Sequence, residues 1–115
     1  MNKFKPFITG TAAYGPFTEK SDIDIVMMYY HADKLKASLE EAGYTIREPN
    51  KIINPNYKGF EFDIAGRSFN IICIATRKEY KEWLYATDEM RDVGPYDNRE
   101  ARIKRFTQFR NNYHQ

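Results

Sequence analysis

The stretch ITGTAAYGPFTEKSDIDIVMM, residues 8–28, contains two short patterns that decide the fold and the site, Gly10-Thr11 and Asp22-Ile-Asp24. Side chains two positions apart on a strand point to the same face of the sheet, so the two aspartates would lie side by side. Adjacent carboxylates repel each other unless a cation or a proton lies between them. The stretch therefore predicts a carboxylate pair that needs a positively charged or hydrogen-bonding partner.

Length and composition predict one domain over residues 1–115 with its own core. At 42% hydrophobic and 16% aromatic residues, the chain is too apolar to be disordered. The single cysteine, Cys73, cannot form an internal disulfide. No apolar run is long enough for a signal peptide or a membrane span. We therefore expect a cytoplasmic protein that has no contact with a membrane.

The first half of the chain predicts two strands. Residues 5–10, KPFITG, are typical of a short strand that stops at its glycine, and a loop or a short helix broken at Gly15-Pro16 follows. Residues 22–30, DIDIVMMYY, predict a long central strand, because apolar residues occupy both parities from Val26 onward.

A helix is expected directly after this second strand. Asp33 is a candidate N-cap, and Gly43 is a natural stop after a helix that reaches about residue 42. The buried stripe of this helix would comprise Leu35, Leu39 and Ala42. Residues 44–59 then predict an edge strand followed by a loop.

The strongest hairpin signal is FEFDIAGRSFNIICIA, residues 60–75, in which two β-rich runs flank Ala65-Gly66-Arg67-Ser68. A turn centred on Gly66 and Arg67 would place Asp63 opposite Asn70, with Glu61 further along on the same face.

Two helices are predicted after the hairpin. The first opens with a Thr76-x-x-Glu79 capping box, and Asp97 and Glu100 offer a second capping pair for a basic helix at about residues 97–113. The apolar face of the first helix would comprise Tyr80, Trp83, Leu84 and Thr87, and that of the second Ile103, Phe106 and Tyr113. The whole order predicts an α+β domain in which helices back a mixed β-sheet.

The chemistry predicted for residues 8–28 is phosphate transfer. Two carboxylates on one strand face are suitable ligands for Mg²⁺, which prefers oxygen atoms and often shares its site with substrate phosphates. A glycine lets the backbone approach a phosphate closely, and free N–H groups with the Thr11 hydroxyl can hold its oxygens. A metal-binding acid pair beside such a cradle fits phosphoryl or nucleotidyl transfer.

The same stretch resembles the signature of the DNA polymerase beta-like nucleotidyltransferase superfamily, a Gly-Ser or Gly-Thr followed by Asp-x-Asp. It is most similar to small nucleotidyltransferase-domain proteins of phages and bacteria. Downstream, GRSFNIICIATRKEYKEWLYATDEM (residues 66–90) is similar to the last strand of the palm, the family's catalytic sheet, and to the helix behind it. The segment NREARIKRF (residues 98–106) is similar to the helix after that.

This resemblance implies that Gly10 and Thr11 hold the triphosphate of an NTP, with ATP the first candidate. It implies that Asp22 and Asp24 bind two Mg²⁺ ions, for which Mn²⁺ could substitute. An acceptor hydroxyl would attack the α-phosphorus and pyrophosphate would leave. The acceptor could be a nucleic-acid end, a small molecule or a protein hydroxyl.

One position departs from the family pattern. The family has a third acid on the last palm strand, where this chain has Asn70, whose neutral amide cannot accept a proton as a carboxylate can. Asp63 could supply the missing carboxylate from the neighbouring strand. Asn70 would then lie beside it as a weaker metal ligand. Alternatively, Asp63 and Asn70 hydrogen-bond each other on a solvated face.

Further candidate contacts are weaker. Lys20, its neighbour Ser21 and Arg67 could reach the phosphates, and Tyr85 lies where family members stack a base or sugar. Each also has a structural alternative, as a surface charge for Lys20 and Arg67 and as a core residue for Tyr85. The basic residues near the C-terminus could contact nucleic acid or form the solvated face of the last helix: Arg99, Arg102, Lys104, Arg105 and Arg110.

Three functions follow from these patterns. The first is a minimal nucleotidyltransferase that uses Mg²⁺ on Asp22 and Asp24. The second is a degenerate family member that binds a nucleotide or a nucleic-acid end with little or no turnover, because Asn70 replaces the third acid. The third is an α+β binding module whose basic last helix binds nucleic acid while the acid pair is merely structural.

Overall fold

The computed structural model describes residues 4–48, 58–94 and 98–113. It confirms the α+β class, with four strands in one mixed sheet and four helices. The elements in chain order are β1 (Phe7–Thr9), α1 (Thr11–Tyr14), β2 (Ile23–Met28), α2 (Tyr29–Glu41), β3 (Gly59–Ile64), β4 (Arg67–Ile74), α3 (Arg77–Val93) and α4 (Arg99–Asn112). The strand order is β1-β2-β4-β3, in which β2 and β4 are parallel and the two outer pairs are antiparallel.

The two faces of the sheet are covered by different helices. Along β2, side chains alternate between the faces, so Val26 and Met28 pack with Tyr80 of α3, whereas Met27 packs with Leu39 of α2. The side chains of Val26, Met27 and Met28 are each at most 5% exposed. The alternation confirms the prediction that this strand is covered on both sides. Because Asp24 has the parity of Val26, it lies on the α3 face.

The boundary between β2 and α2 corrects the sequence prediction. The strand ends at Met28 and α2 begins at Tyr29, so Tyr29 and Tyr30 are helical and Asp33 lies inside the helix instead of capping it. The earlier start buries Ala32 together with Leu39, and this packing overrides the β-propensity of the two tyrosines. Ala42 is exposed, contrary to expectation, whereas Gly43 has a φ of 93° and ends the helix as predicted.

The β3–β4 hairpin is confirmed, but its turn lies one residue earlier than predicted. Each residue of β3 therefore pairs with a β4 residue two positions earlier than expected. The turn is Ala65-Gly66, with φ angles of 53° and 81°, so Ile64 pairs with Arg67. This register stacks the rings of Phe62 and Phe69 with centroids 5.4 Å apart, and such cross-strand aromatic pairs stabilise a sheet. As a consequence Asp63 lies opposite Ser68, and the predicted pairing of Asp63 with Asn70 is wrong.

The predicted edge strand before this hairpin is seen only as a bridge between Arg47 and Glu61. Residues 49–57 of that segment lie outside the described residues.

Helices α3 and α4 pack against each other on the Asp24 face of the sheet. Thr76 caps α3 as expected, since its Oγ1 accepts a hydrogen bond from the Glu79 N–H at 3.1 Å. The cap of α4 is Asn98, whose side chain accepts from the Ala101 N–H at 3.1 Å, and the expected cap Asp97 lies outside the described residues. Ile103 is 50% exposed, so it is not part of a buried stripe as predicted.

Among the described residues, the helices are all too short or too polar to span a membrane.

Candidate functional site

The strand registers align a row of polar side chains across the α3 face of the sheet. Thr9 of β1 pairs with Asp24 of β2, Asp24 pairs with Asn70 of β4, and Asn70 pairs with Glu61 of β3. Directly paired residues share a sheet face. The row therefore brings the predicted acid pair together with Asn70, and places Glu61 on the far side of Asn70.

The amide group of Asn70 lies between the two aspartates. Its Nδ2 donates to Asp24 Oδ1 at 2.8 Å and to Asp22 Oδ2 at 3.3 Å. The carboxylates are thus held together by a hydrogen-bond donor in place of a cation or a shared proton. The Oδ1 atom of Asn70 is buried and accepts no hydrogen bond from the described residues. This assignment of the amide is the physically sensible one, since the opposite one would turn Oδ1 toward two carboxylates.

The electrostatics of Asp24 show that the amide only partly compensates the negative charge. Burial, the largest effect, and the neighbouring carboxylates of Asp22 and Glu61 raise the pKa of Asp24 to about 6, while the Asn70 hydrogen bond and Arg99 oppose the rise. A buried carboxylate with a raised pKa is a common feature of functional sites. A cation bound here would relieve the same unfavourable charge.

Gly10 lies against the carboxylate of Asp24. Its φ is 66°, and a Cβ built on it would collide with Asp24 Oδ2. Only glycine allows this approach without strain, which gives the Gly-Thr pattern a physical reason beyond the end of β1. Thr11 is the first residue of the four-residue helix α1 and is half-buried.

Arg67 holds the loop that leads into the acid pair. Its Nη1 donates to the backbone oxygens of Ser21 at 2.9 Å and Thr18 at 3.3 Å, and its guanidinium lies 4.9 Å from the centroid of the Phe17 ring. Because Ser21 directly precedes Asp22, this contact fixes the loop to the first residue of β4. Arg67 was expected only as a surface or phosphate-binding charge.

A cavity of about 570 Å³ opens next to Asp24 and Gly10, between the sheet and the two packed helices. The α4 residues that line it follow helical spacing, namely Arg99, Ile103, Phe106, Thr107 and Arg110. Lys58, Glu79 and Trp83 line the same cavity from other elements. The sequence analysis missed this cavity: the i, i+4, i+7, i+8, i+11 spacing from Arg99 marks one face of α4, but it does not show that this face lines a cavity.

Asp63 does not join the acid pair. It accepts two hydrogen bonds from Arg47, at 2.9 and 3.1 Å, and one from Ser68 Oγ at 2.7 Å. The Arg47 hydrogen bonds, ahead of that from Ser68, lower the pKa of Asp63. Arg47 also lies 3.6 Å from Glu61. The carboxylate opposite Asn70 is therefore Glu61, a residue that the sequence reading noted only as a neighbour of Asp63.

The other expected nucleotide contacts, Lys20, Ser21 and Tyr85, do not line the cavity. Lys20 is exposed, and its backbone N–H donates to Thr18 Oγ1, while Ser21 Oγ accepts from the Thr18 N–H at 2.9 Å. Tyr85 packs on Tyr113 with ring centroids 5.2 Å apart and does not line the cavity.

The basic residues of α4 do not form one continuous surface. Arg99 and Arg110 line the cavity, whereas Arg105 lies over the ring of Phe109, and Arg102 is close enough to Tyr14 to oppose the burial-driven rise of its pKa. Lys104 is exposed.

The donor set fits one Mg²⁺ ion. Asp22 and Asp24 supply carboxylate oxygens. Rotation of the Asn70 amide would turn its Oδ1, which accepts no hydrogen bond from the described residues, toward the same ion. In the described part of the chain, no group of three or more His, Cys, Asp or Glu side chains is arranged to hold a metal. Water or substrate oxygens would therefore complete the coordination, as is usual for Mg²⁺.

Comparisons with protein-family models, with curated protein sequences and with solved structures found no match for this chain. The resemblance to polymerase beta-like nucleotidyltransferases therefore rests on the sequence motifs alone.

Proposed function

We propose that this protein is a metal-dependent nucleotidyltransferase that moves a nucleoside monophosphate from an NTP to an acceptor hydroxyl. The observation that carries the proposal is the cluster of Asp22, Asp24 and Asn70, with Gly10 in contact with Asp24 at the edge of a cavity. The cavity volume of about 570 Å³ lies within the usual range for small-molecule and cofactor sites.

The residues of the site have distinct roles in this proposal. Asp22 and Asp24 would hold Mg²⁺, which would supply positive charge to the phosphates. The acceptor oxygen would bond to the α-phosphorus and pass its proton to the Glu61 carboxylate, while the bond from that phosphorus to the pyrophosphate oxygen breaks. Gly10 lets the backbone and the triphosphate approach the acids without a side chain between them. Arg99, which lines the cavity near Asp24, adds positive charge at the same end.

Titration calorimetry with the four NTPs, with and without Mg²⁺, tests the binding half of this proposal. Binding by the wild type should require the metal and should be lost in the Asp22→Asn/Asp24→Asn double variant. Asp63→Asn is the control, because it removes a carboxylate charge from an exposed position on the same sheet face, outside the acid pair. Absence of NTP binding to the wild type would reject the proposal. Metal-dependent release of pyrophosphate then tests turnover.

A second candidate is a protein that binds nucleotide without turnover. It is favoured by the position of Asn70, where a neutral amide donates to both aspartates at the place where a third acid would stand. NTP binding that depends on metal and on both aspartates, without pyrophosphate release for any acceptor tested, would support this candidate over the enzyme.

A further inference from the structure

The cavity contains more positive than negative side chains, and they are unevenly distributed. Its lining includes three cations, Lys58, Arg99 and Arg110, and two carboxylates, Asp24 and Glu79. Arg99 acts on Asp24, since its charge lowers the pKa of that carboxyl. Glu79 accepts a hydrogen bond from Thr76 Oγ1 at 3.3 Å, at the start of α3. Neither Lys58 nor Arg110 has a carboxylate within ion-pair distance among the described residues.

Arg110 is held in place without an anionic partner among the described residues. Its guanidinium lies 4.8 Å from the centroid of the Trp83 ring, which also packs on Phe106 at a centroid distance of 5.0 Å. The Nε atom of Arg110 is buried and has no acceptor among the described residues. A buried N–H without an acceptor is unfavourable, and a charged one more so. An oxyanion that reached Arg110 would remove this cost.

Arg110 is far from the acid pair. Arg99 and Arg110 are eleven residues apart on the same face of α4, and at 1.5 Å per residue this is about 16 Å along the helix. Arg99 marks the end of the cavity near Asp24, so Arg110 marks the opposite end. The Lys58 carbonyl accepts a hydrogen bond from the Cys73 N–H at 2.9 Å, three residues along β4 from the partner of Asp24, so Lys58 also lies away from the acids. An NTP whose triphosphate lies at Gly10 and Asp24 carries no further anionic group that could reach the distant end.

We propose that Arg110 and Lys58 bind a phosphate group of the acceptor, which makes the acceptor a phosphorylated compound such as the end of a nucleic-acid strand. This inference rests on the proposed function, because it takes the acid pair as the place of the triphosphate. The planar guanidinium suits phosphate oxygens, which it can contact through two N–H groups, and the packed indole fixes its orientation before the ligand binds. The acceptor hydroxyl would then point toward the acids while its phosphate lies at the other end of the cavity.

The test compares three ligands on the same variants. A trinucleotide with a 5′-phosphate, the same trinucleotide with a 5′-hydroxyl, and ATP are titrated in excess Mg²⁺ into the wild type, Arg110→Gln and Lys58→Gln. Lys104→Gln is the matched control, since Lys104 is an exposed cation of α4 that does not line the cavity. Circular dichroism confirms that each variant is folded, and Lys58→Gln, at an exposed position, keeps the test valid if Arg110→Gln unfolds the protein.

We expect Arg110→Gln and Lys58→Gln to weaken the 5′-phosphorylated trinucleotide at least about fivefold and to abolish its advantage over the 5′-hydroxyl form, with ATP affinity unchanged. Equal weakening of ATP would overturn the inference, because the phosphate at this end would then belong to the NTP. The inference is also wrong if neither Arg110→Gln nor Lys58→Gln weakens the 5′-phosphorylated trinucleotide. ATP binding to the wild type tests the proposed function separately, so the two failures can be told apart.

Discussion

Asn70 Nδ2 lies 2.8 Å from Asp24 Oδ1, so an amide of β4 donates to a carboxylate of the neighbouring strand whose pKa is raised to about 6. The same amide contacts Asp22. In the metal-free protein, Asn70 therefore does part of what a cation would do for the two acids. This relationship makes Asn70 both a stabilising residue and the main reason to question turnover.

Asn70→Asp should destabilise the metal-free protein and strengthen metal binding. The change replaces a donor with a third carboxylate, which should cost about 1–3 kcal/mol of unfolding free energy at neutral pH. Excess Mg²⁺ should recover the loss, and pyrophosphate release should increase if the amide limits turnover. Urea unfolding with EDTA and with Mg²⁺ measures both effects. Asn111→Asp, on the exposed surface of α4, should change stability by no more than about 0.5 kcal/mol under either condition. Equal stabilities of Asn70→Asp and wild type in EDTA would contradict the role assigned to Asn70.

The raised pKa of Asp24 predicts that stability of the metal-free protein falls as pH rises from about 4 to about 6. In this window the folded protein still holds the proton that the unfolded chain, with a carboxyl pKa of 3.8, has already lost. The loss could reach about 3 kcal/mol. Asp24→Asn should remove this slope, as measured by urea unfolding in EDTA from pH 4 to pH 7.

Asp63→Asn is the control for this pH dependence, because its effect has the opposite sign. Arg47 lowers the pKa of Asp63, so the contribution of Asp63 is present above the unfolded pKa and lost as pH falls. The same pH slope in Asp24→Asn and wild type would show that another group titrates in this window.

Gly10→Ala should eliminate the site, because a Cβ at this position collides with Asp24. Gly94→Ala is a matched control: its φ of 81° and ψ of 176° lie in the same glycine-only backbone region as the 66° and −158° of Gly10, but no atom lies within 4 Å of the added carbon. We expect Gly10→Ala to lose Mn²⁺ and NTP binding and to be less stable than Gly94→Ala by about 1–3 kcal/mol. Retention of NTP binding by Gly10→Ala would show that the close approach to Asp24 is not needed.

The acid pair was predictable from the sequence because its cause is local. Strand alternation puts Asp22 and Asp24 on one side, and a glycine just before α1 marks the end of a neighbouring strand. The position of Glu61 was not predictable, because the hairpin register depends on the stacking of Phe62 on Phe69 and on a left-handed φ at Ala65. Because the turn lies one residue earlier than predicted, the carboxylate opposite Asn70 is Glu61 instead of Asp63.

The cavity was not predictable for a similar reason. Its α4 wall forms only when α4 packs on α3, and the basic residues of α4 looked like one solvated face in the sequence. The register of that packing places Arg99 and Arg110 inward, with Arg110 over Trp83. Tertiary contacts determine which side chains of α4 face the cavity, and the periodicity of a single helix does not carry that information.

Arg67→Ala should weaken metal binding without unfolding the protein. Loss of the contacts to Ser21 and Thr18 frees the loop before Asp22, and residues that orient a metal ligand typically change affinity by about tenfold or more. Mn²⁺ titration followed by electron paramagnetic resonance measures the affinity. Arg77→Ala removes a comparable guanidinium–ring contact, with Phe4, away from the acids, and should leave the affinity unchanged. Equal Mn²⁺ affinities of Arg67→Ala and wild type would remove Arg67 from the site.

Glu61→Gln and Asp63→Asn together test which carboxylate of β3 serves the reaction. Glu61 is paired with Asn70 and its charge reaches Asp24, whereas Asp63 is bonded to Arg47 and Ser68. A carboxylate that accepts the proton of the acceptor hydroxyl typically contributes about 10²–10⁴-fold to the rate. We therefore expect Glu61→Gln to reduce pyrophosphate release at least about tenfold with ATP binding retained, and Asp63→Asn to have little effect. The reverse order would return the third acid to Asp63, and unchanged rates in both variants would leave Asp22 and Asp24 as the only acids of the reaction.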